Sequence, residues 1–147
     1  MKNKNTLLAI LVLLFVVLMS IPYLVPHTGL LALFGLVPLL CMERIATMTG
    51  TRRIWLWHYS AFVLWNAATT FWVCNATVGG GIFAVLANAF QMSIVFGLFR
   101  WSRKILKGSL PYILLAMMWI AWEKYYLTVA QISWPWLVLG NAFARTL

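Results

Sequence analysis

The chain has 147 residues, of which 64% are hydrophobic and 9% charged, with a formal net charge of +9 and a mean hydropathy of +0.92. Thirteen charged side chains are too few to cover the surface of a soluble domain, so lipid is the expected solvent for most of the molecule. Nucleic-acid binding is excluded by the same pattern, because the basic residues sit in short clusters between apolar runs and not on one solvated face.

The first segment, residues 6–24, opens after Lys2 and Lys4 with "TLLAILVLLFVVLMSI" and is stopped by Pro22 and Pro26. It has the charge and apolar run of a signal peptide. No small-x-small site follows in "MSIPYLVPH", so an uncleaved signal-anchor helix is expected.

The second segment, residues 27–42, carries a short apolar run from Gly29 to Met42 and is expected to end at Glu43 and Arg44. It reads as the return arm of a tight helical hairpin turning at "PYLVPH". The third, residues 54–73, follows Arg52 and Arg53 and is long enough to span alone. "CNATVGGG", residues 74–81, is expected to be a glycine-rich turn into the fourth, residues 82–99. A basic stretch, "RWSRKILKG", precedes the fifth, residues 109–130.

With the N-terminus in the cytoplasm and five spans, the inside receives Lys2, Lys4, Arg44, Arg52, Arg53, Arg100, Arg103, Lys104 and Lys107. Only Lys124 and Arg145 fall outside. This asymmetry is what the positive-inside rule demands. The expected fold is all-α: a single polytopic helical bundle of about five transmembrane helices, N-terminus cytoplasmic, with an outer-face Trp/Pro segment at residues 131–141.

Few residues are candidates for chemistry. Asn66, Thr69 and Thr70 share one face of the third segment, and Asn88 and Gln91 one face of the fourth, a pattern read as interhelical hydrogen bonding. His58, among Trp55, Trp57 and Tyr59, reads as part of an interfacial aromatic belt. Cys41 and Cys74 lie on opposite sides of the membrane and cannot pair. His27 and His58 are far apart and no CxxC or HxxxH occurs, so no metal or other cofactor is expected.

Glu123 stands out, because an acid in an apolar helix is costly to bury and marks a functional candidate. Trp119, Trp122, Tyr125 and Tyr126 form a belt expected to place it near the headgroups, hydrated or paired with a basic group of another segment. Cys74, Glu123 and Lys124 share the outer face, but adjacent Glu and Lys diverge by about 100° on a helix, so the three do not converge without a break. In "QISWPWLVLGN", residues 131–141, Pro135 ends helix while Trp134 and Trp136 anchor the chain at the headgroup level.

The order of these features resembles the membrane region of bacterial apolipoprotein N-acyltransferase: a Pro-containing first hairpin, "TTFWVCNATVGGG", Trp119-x-x-x-Glu123 in "WIAWEKYY", and then Pro135-Trp136-Leu137-x-x-Gly140. The resemblance covers nearly the whole chain. It implies a multi-pass protein of the bacterial inner membrane, with a phospholipid as acyl donor and the diacylglyceryl-cysteine of a lipoprotein as acceptor. In that family a nitrilase-like domain supplies the Glu-Lys-Cys set, and this chain has no catalytic residue by that resemblance.

The chain alone is therefore expected to be inactive, as the N-terminal part of an acyltransferase whose nitrilase-like domain lies downstream or on a separate polypeptide. The residues expected to form its lipid platform are Glu123, Trp134, Pro135, Trp136 and Gly140. Tyr126 and Asn141 depart from residues common in the family, an arginine and a tyrosine. The competing expectation is a non-enzymatic membrane scaffold or partner-binding subunit.

Overall fold

The computed structural model describes residues 2–129 and 135–144; Trp134 and the rest of 130–134 lie outside the described residues. Those residues form helices α1 (Lys2–Leu24), α2 (Ala32–Gly35), α3 (Val37–Met48), α4 (Ile54–Thr70), α5 (Val78–Ile105) and α6 (Leu110–Thr128), with 3-10 turns and no strand.

The helices are apolar all round, so what faces inward is decided by fit. On α1 Leu8, Val12, Phe15 and Met19 are buried, spaced four, three and four apart along one stripe. The other faces present Ile10, Leu13 and Val17, all more than half exposed. Large apolar side chains remain exposed on every long helix, as they do where lipid tails complete the packing.

α4 lies between α1 and α5, α3 packs beside α1, and α6 packs on α5. The centre is aromatic: Trp65 of α4 is fully buried, meets Phe15 edge-on at 5.9 Å, and donates its indole N–H to the Met19 carbonyl at 3.1 Å. That bond supplies the buried N–H with a partner.

The expected hairpin between the first two segments is present, but its return arm differs. A continuous run of helical turns, Gly29–Met48, replaces the expected 27–42. Leu39, Met42 and Ala46 keep the inward stripe going past Glu43, so the charged pair does not stop the helix. It ends instead at Gly50, whose positive φ of 58° lets Thr51 N–H reach Ala46 O at 2.8 Å and Gly50 N–H reach Thr47 O at 3.3 Å.

The other boundaries shift for similar reasons. α5 runs on through Arg100, Arg103 and Lys104, beyond the expected 82–99. It also starts earlier, because Thr77 caps it, its hydroxyl accepting from Gly80 N–H at 3.1 Å. The glycines expected in a turn thus form the first turn of a helix. Gly81 is required there: a Cβ would lie 2.9 Å from the backbone N and Cα of Cys74. Gly81→Val is expected to lower stability by about 1–3 kcal/mol, since backbone cannot yield cheaply. A melt followed by circular dichroism in detergent, with Gly79→Val as the unhindered control, checks this.

Lys4–Leu24, Gly29–Met48 and Val78–Ile105 are long and apolar enough to cross a membrane. α4 has only 17 residues before its chain tightens into the 3-10 turn Phe71–Asn75, so the third segment is not one long span of α-helix. α6 is long enough, but Trp, Tyr, Glu and Lys lower its hydropathy.

Contacts between helix ends gather several basic residues at one end of the bundle. Lys4 donates to Thr49 O at 3.3 Å, and Glu43 of α3 pairs with Arg103 and, at 3.8 Å, with Arg100. Both arginines belong to the C-terminal part of α5. Tyr112, near the start of α6, lies under the Arg103 guanidinium, 6.0 Å from ring centroid to cation.

Candidate functional site

One face of α6 presents Trp119, Glu123 and Tyr126, at i, i+4 and i+7, and their surroundings are built by three separate parts of the chain. Glu123 Oε1 accepts two bonds, from the Trp119 indole at 2.9 Å and from the Leu139 backbone N–H at 2.8 Å. From α1, Tyr23 OH donates to Val138 O at 3.1 Å. The peptide units around residue 138 are therefore held between α1 and α6, with Leu137 almost fully buried beneath them.

The expected belt around Glu123 is not what forms. Trp119 and Tyr126 are buried, 5% and 9% exposed, while Tyr125 faces outward. Glu123 makes no ion pair among the described residues; two N–H donors satisfy it instead. The reason is geometric: the segment after α6 folds back over that face and offers an unpaired backbone N–H, which a carboxylate binds strongly.

Cavities lie on both sides of this carboxylate. One, of about 20 Å³, is enclosed by Asn88, Met92 and Val95 of α5 with Trp122, Tyr126 and Val138. It has room for little more than a water molecule. The other is an apolar trough of about 450 Å³ between α6 and the return arm, walled by Leu36, Leu40, Leu115, Ala116 and Ile120, with Glu123 and Gly140 at its polar end. That volume falls within the range of about 300–1,000 Å³ usual for ligand sites.

Of the residues expected to act together, the structure unites Glu123 and Gly140. A Cβ at Gly140 would meet nothing within 4 Å, so packing alone does not explain a glycine there. Pro135 begins the 3-10 turn Pro135–Leu137. Trp136 sits away from the trough: it is 53% exposed and packs edge-on against Trp72 at 5.4 Å. Trp134 lies outside the described residues.

Sequence reading missed Tyr23 and the Leu139 N–H. Tyr23 had a visible signal, a phenol at the end of an otherwise apolar helix.

Neither cavity is lined by a cysteine, serine, histidine or lysine. α6 is unbroken through Glu123 and Lys124, and Lys124 is exposed on another face. Cys41 and Cys74 are both free thiols. A carboxylate with one oxygen held by two N–H donors is fitted to fix a loop and orient a polar ligand group, not to act as a nucleophile. No three His, Cys, Asp or Glu side chains come together among the described residues.

The polar faces of α4 and α5 meet through Asn66, whose Oδ1 accepts from Asn88 Nδ2 at 2.7 Å and whose Nδ2 lies 3.6 Å from Met92 Sδ. Thr69 and Thr70 bond back to carbonyls of their own helix. His58 departs from the expected belt: it is 3% exposed, with Nδ1 and the Ser93 hydroxyl 2.6 Å apart.

No protein-family model matches the chain, and no solved structure matches it. Over 123 residues it is 28% identical to an apolipoprotein N-acyltransferase of Chlorobaculum tepidum, a stretch that covers 82% of this chain and 22% of that protein. The chain thus spans about a fifth of the length of this curated relative. With three helices apolar and long enough to cross a bilayer, it is a membrane protein distantly similar to part of an apolipoprotein N-acyltransferase.

Proposed function

We propose that the chain is the lipid-binding membrane part of an apolipoprotein N-acyltransferase, the enzyme that moves an acyl chain from a phospholipid to the diacylglyceryl-cysteine of a lipoprotein. The bundle crosses the bacterial inner membrane five times with its N-terminus inside, α4 and α6 being the additional spans. Glu123 and Gly140, with Trp134, Pro135 and Trp136 anchoring their segment at the outer headgroups, form the platform on which lipid tails are presented. A nitrilase-like catalytic domain, downstream or separate, performs the transfer; the chain alone binds lipid and does not react.

One observation carries this reading: the Glu123–Leu139 bond holds residues 137–140 against the polar end of an apolar trough. An acyl chain fits such a trough by burial along its walls, with the lipid's headgroup end toward Glu123, the charged residue of its lining. The distant similarity to an acyltransferase supports the same reading.

The test is labelling of the purified chain with phosphatidylethanolamine carrying a diazirine in its acyl chain, at about one lipid per protein. Label is expected on the peptides bearing Leu40 and Ile120, and Ile120→Trp, which fills the trough, is expected to reduce it about tenfold. Label spread equally over the exposed face of α1, at Ile10 and Leu13, and indifferent to Ile120→Trp, would remove the trough from the account and favour a scaffold without lipid chemistry.

A further inference from the structure

A further cleft opens on another face of α5, reaching toward its C-terminal end. It measures about 170 Å³ and lies between α4 and α5, walled by Trp55, Tyr59, Phe90 and Ile94, with Gly97 at its floor and Arg100 at its end. His58 and Ser93 also line it. Nδ1 of this buried histidine engages Ser93, and its Nε2 has no hydrogen-bond partner among the described residues. Among the described residues Arg100 Nε likewise has none, and Glu43 Oε1, at 3.8 Å, is its ionic neighbour.

Charge at this end does not balance. The chain has two acidic side chains; Glu123 is committed to Trp119 and Leu139, and Glu43 serves both Arg100 and Arg103. One carboxylate against two guanidiniums leaves a positive surplus beside a cleft whose walls are apolar. Trp55 and Phe90 are each more than half exposed, so the cleft is open toward the lipid tails.

Phosphodiester oxygens and an attached hydrocarbon chain are the two chemistries this arrangement accepts together: N–H donors and a cation at one end, apolar walls below. We propose that this cleft binds an anionic phospholipid, its phosphate held by Arg100 and His58 and an acyl chain laid against Trp55, Phe90 and Ile94. The site is separate from the trough at Glu123: residues of α4 and α5 line it, whereas the return arm, α6 and residues 139–140 line the trough. It rests on its own geometry and not on the acyl-transfer reading.

Gly97 offers a clean probe, because a Cβ there would meet nothing within 4 Å. Gly97→Leu therefore sets a side chain into the cleft from an unhindered Cβ, and with a better helix former. Native mass spectrometry of the full chain in a neutral detergent, with phosphatidylglycerol or phosphatidylcholine added, reads retained lipid directly. The expected result is one phosphatidylglycerol retained in preference to phosphatidylcholine, lost in Gly97→Leu and weakened about fivefold in Arg100→Gln, the worth of one basic side chain at an anionic headgroup.

A circular dichroism melt establishes that each variant is folded, and whichever is folded decides the matter. Equal retention of the two lipids, or phosphatidylglycerol retention indifferent to the folded variant, would overturn the assignment. So would displacement of the lipid by millimolar inorganic phosphate, which would make this a plain anion site.

Discussion

Glu123→Ala lowers stability by about 2–4 kcal/mol, because two N–H donors, on Trp119 and Leu139, lose one charged acceptor at once. The loss is expected to be local before it is global. With Leu139 released, residues 135–144 keep the Tyr23 bond to Val138 O and the burial of Leu137 and Ala142, so the trough loses its polar end while the bundle persists. Glu123→Gln retains an amide oxygen that can accept both bonds and is expected to cost less than half as much. Unfolding in mixed detergent micelles followed by tryptophan fluorescence, together with limited proteolysis of residues 135–144, separates the two variants. Equal behaviour of alanine and glutamine would mean that the carboxylate oxygen is not what holds the segment.

The second large effect is at Glu43. It is 3% exposed, while the side chains of Arg100 and Arg103 each keep about a quarter of their surface, and Thr47 donates to it at 2.7 Å. Glu43→Ala strands two guanidiniums between α3 and α5, at an expected cost of about 3–5 kcal/mol. Adding Arg103→Met to that variant removes one of the stranded charges and is expected to recover most of the loss, which a purely steric role for Glu43 would not allow. The same micelle titration, run on wild type, single and double variants as a cycle, gives the coupling directly.

Much of the bundle could be read from hydrophobic runs, since in lipid the backbone must satisfy itself and each long apolar run becomes a helix. The ends were less legible. Glu43, Arg100 and Arg103 read as stop signals when each run was taken alone; only the ion pairs between α3 and the end of α5 show that one carboxylate serves two guanidiniums there, so that the helices run on through them. His58 was misplaced for a related reason: it shares a helix face with Trp55 and Tyr59, but sits on the buried side of that face, against Ser93 of α5.

The site was legible as residues but not as an arrangement. An acid in an apolar helix identified Glu123, and the Trp/Pro segment was recognisable as a stretch that leaves the helix. Their connection runs through a backbone N–H, that of Leu139, which carries no signature in a sequence. The trough depends on α3 starting after the break at Leu36, a break no glycine or proline pattern in "LLALFGLVPLL" places unambiguously.

The most direct test is a chimaera in which this chain replaces the matching part of the Chlorobaculum tepidum apolipoprotein N-acyltransferase, expressed in cells depleted of their own enzyme, with mass spectrometry of a lipoprotein N-terminus as the readout. The account predicts N-acylated lipoprotein from the chimaera and at least about tenfold less from its Glu123→Ala form, with the protein still in the membrane. A chimaera that reaches the membrane and acylates equally well with alanine at 123 would contradict the role given to the tether. One that reaches the membrane and never acylates would contradict the function itself.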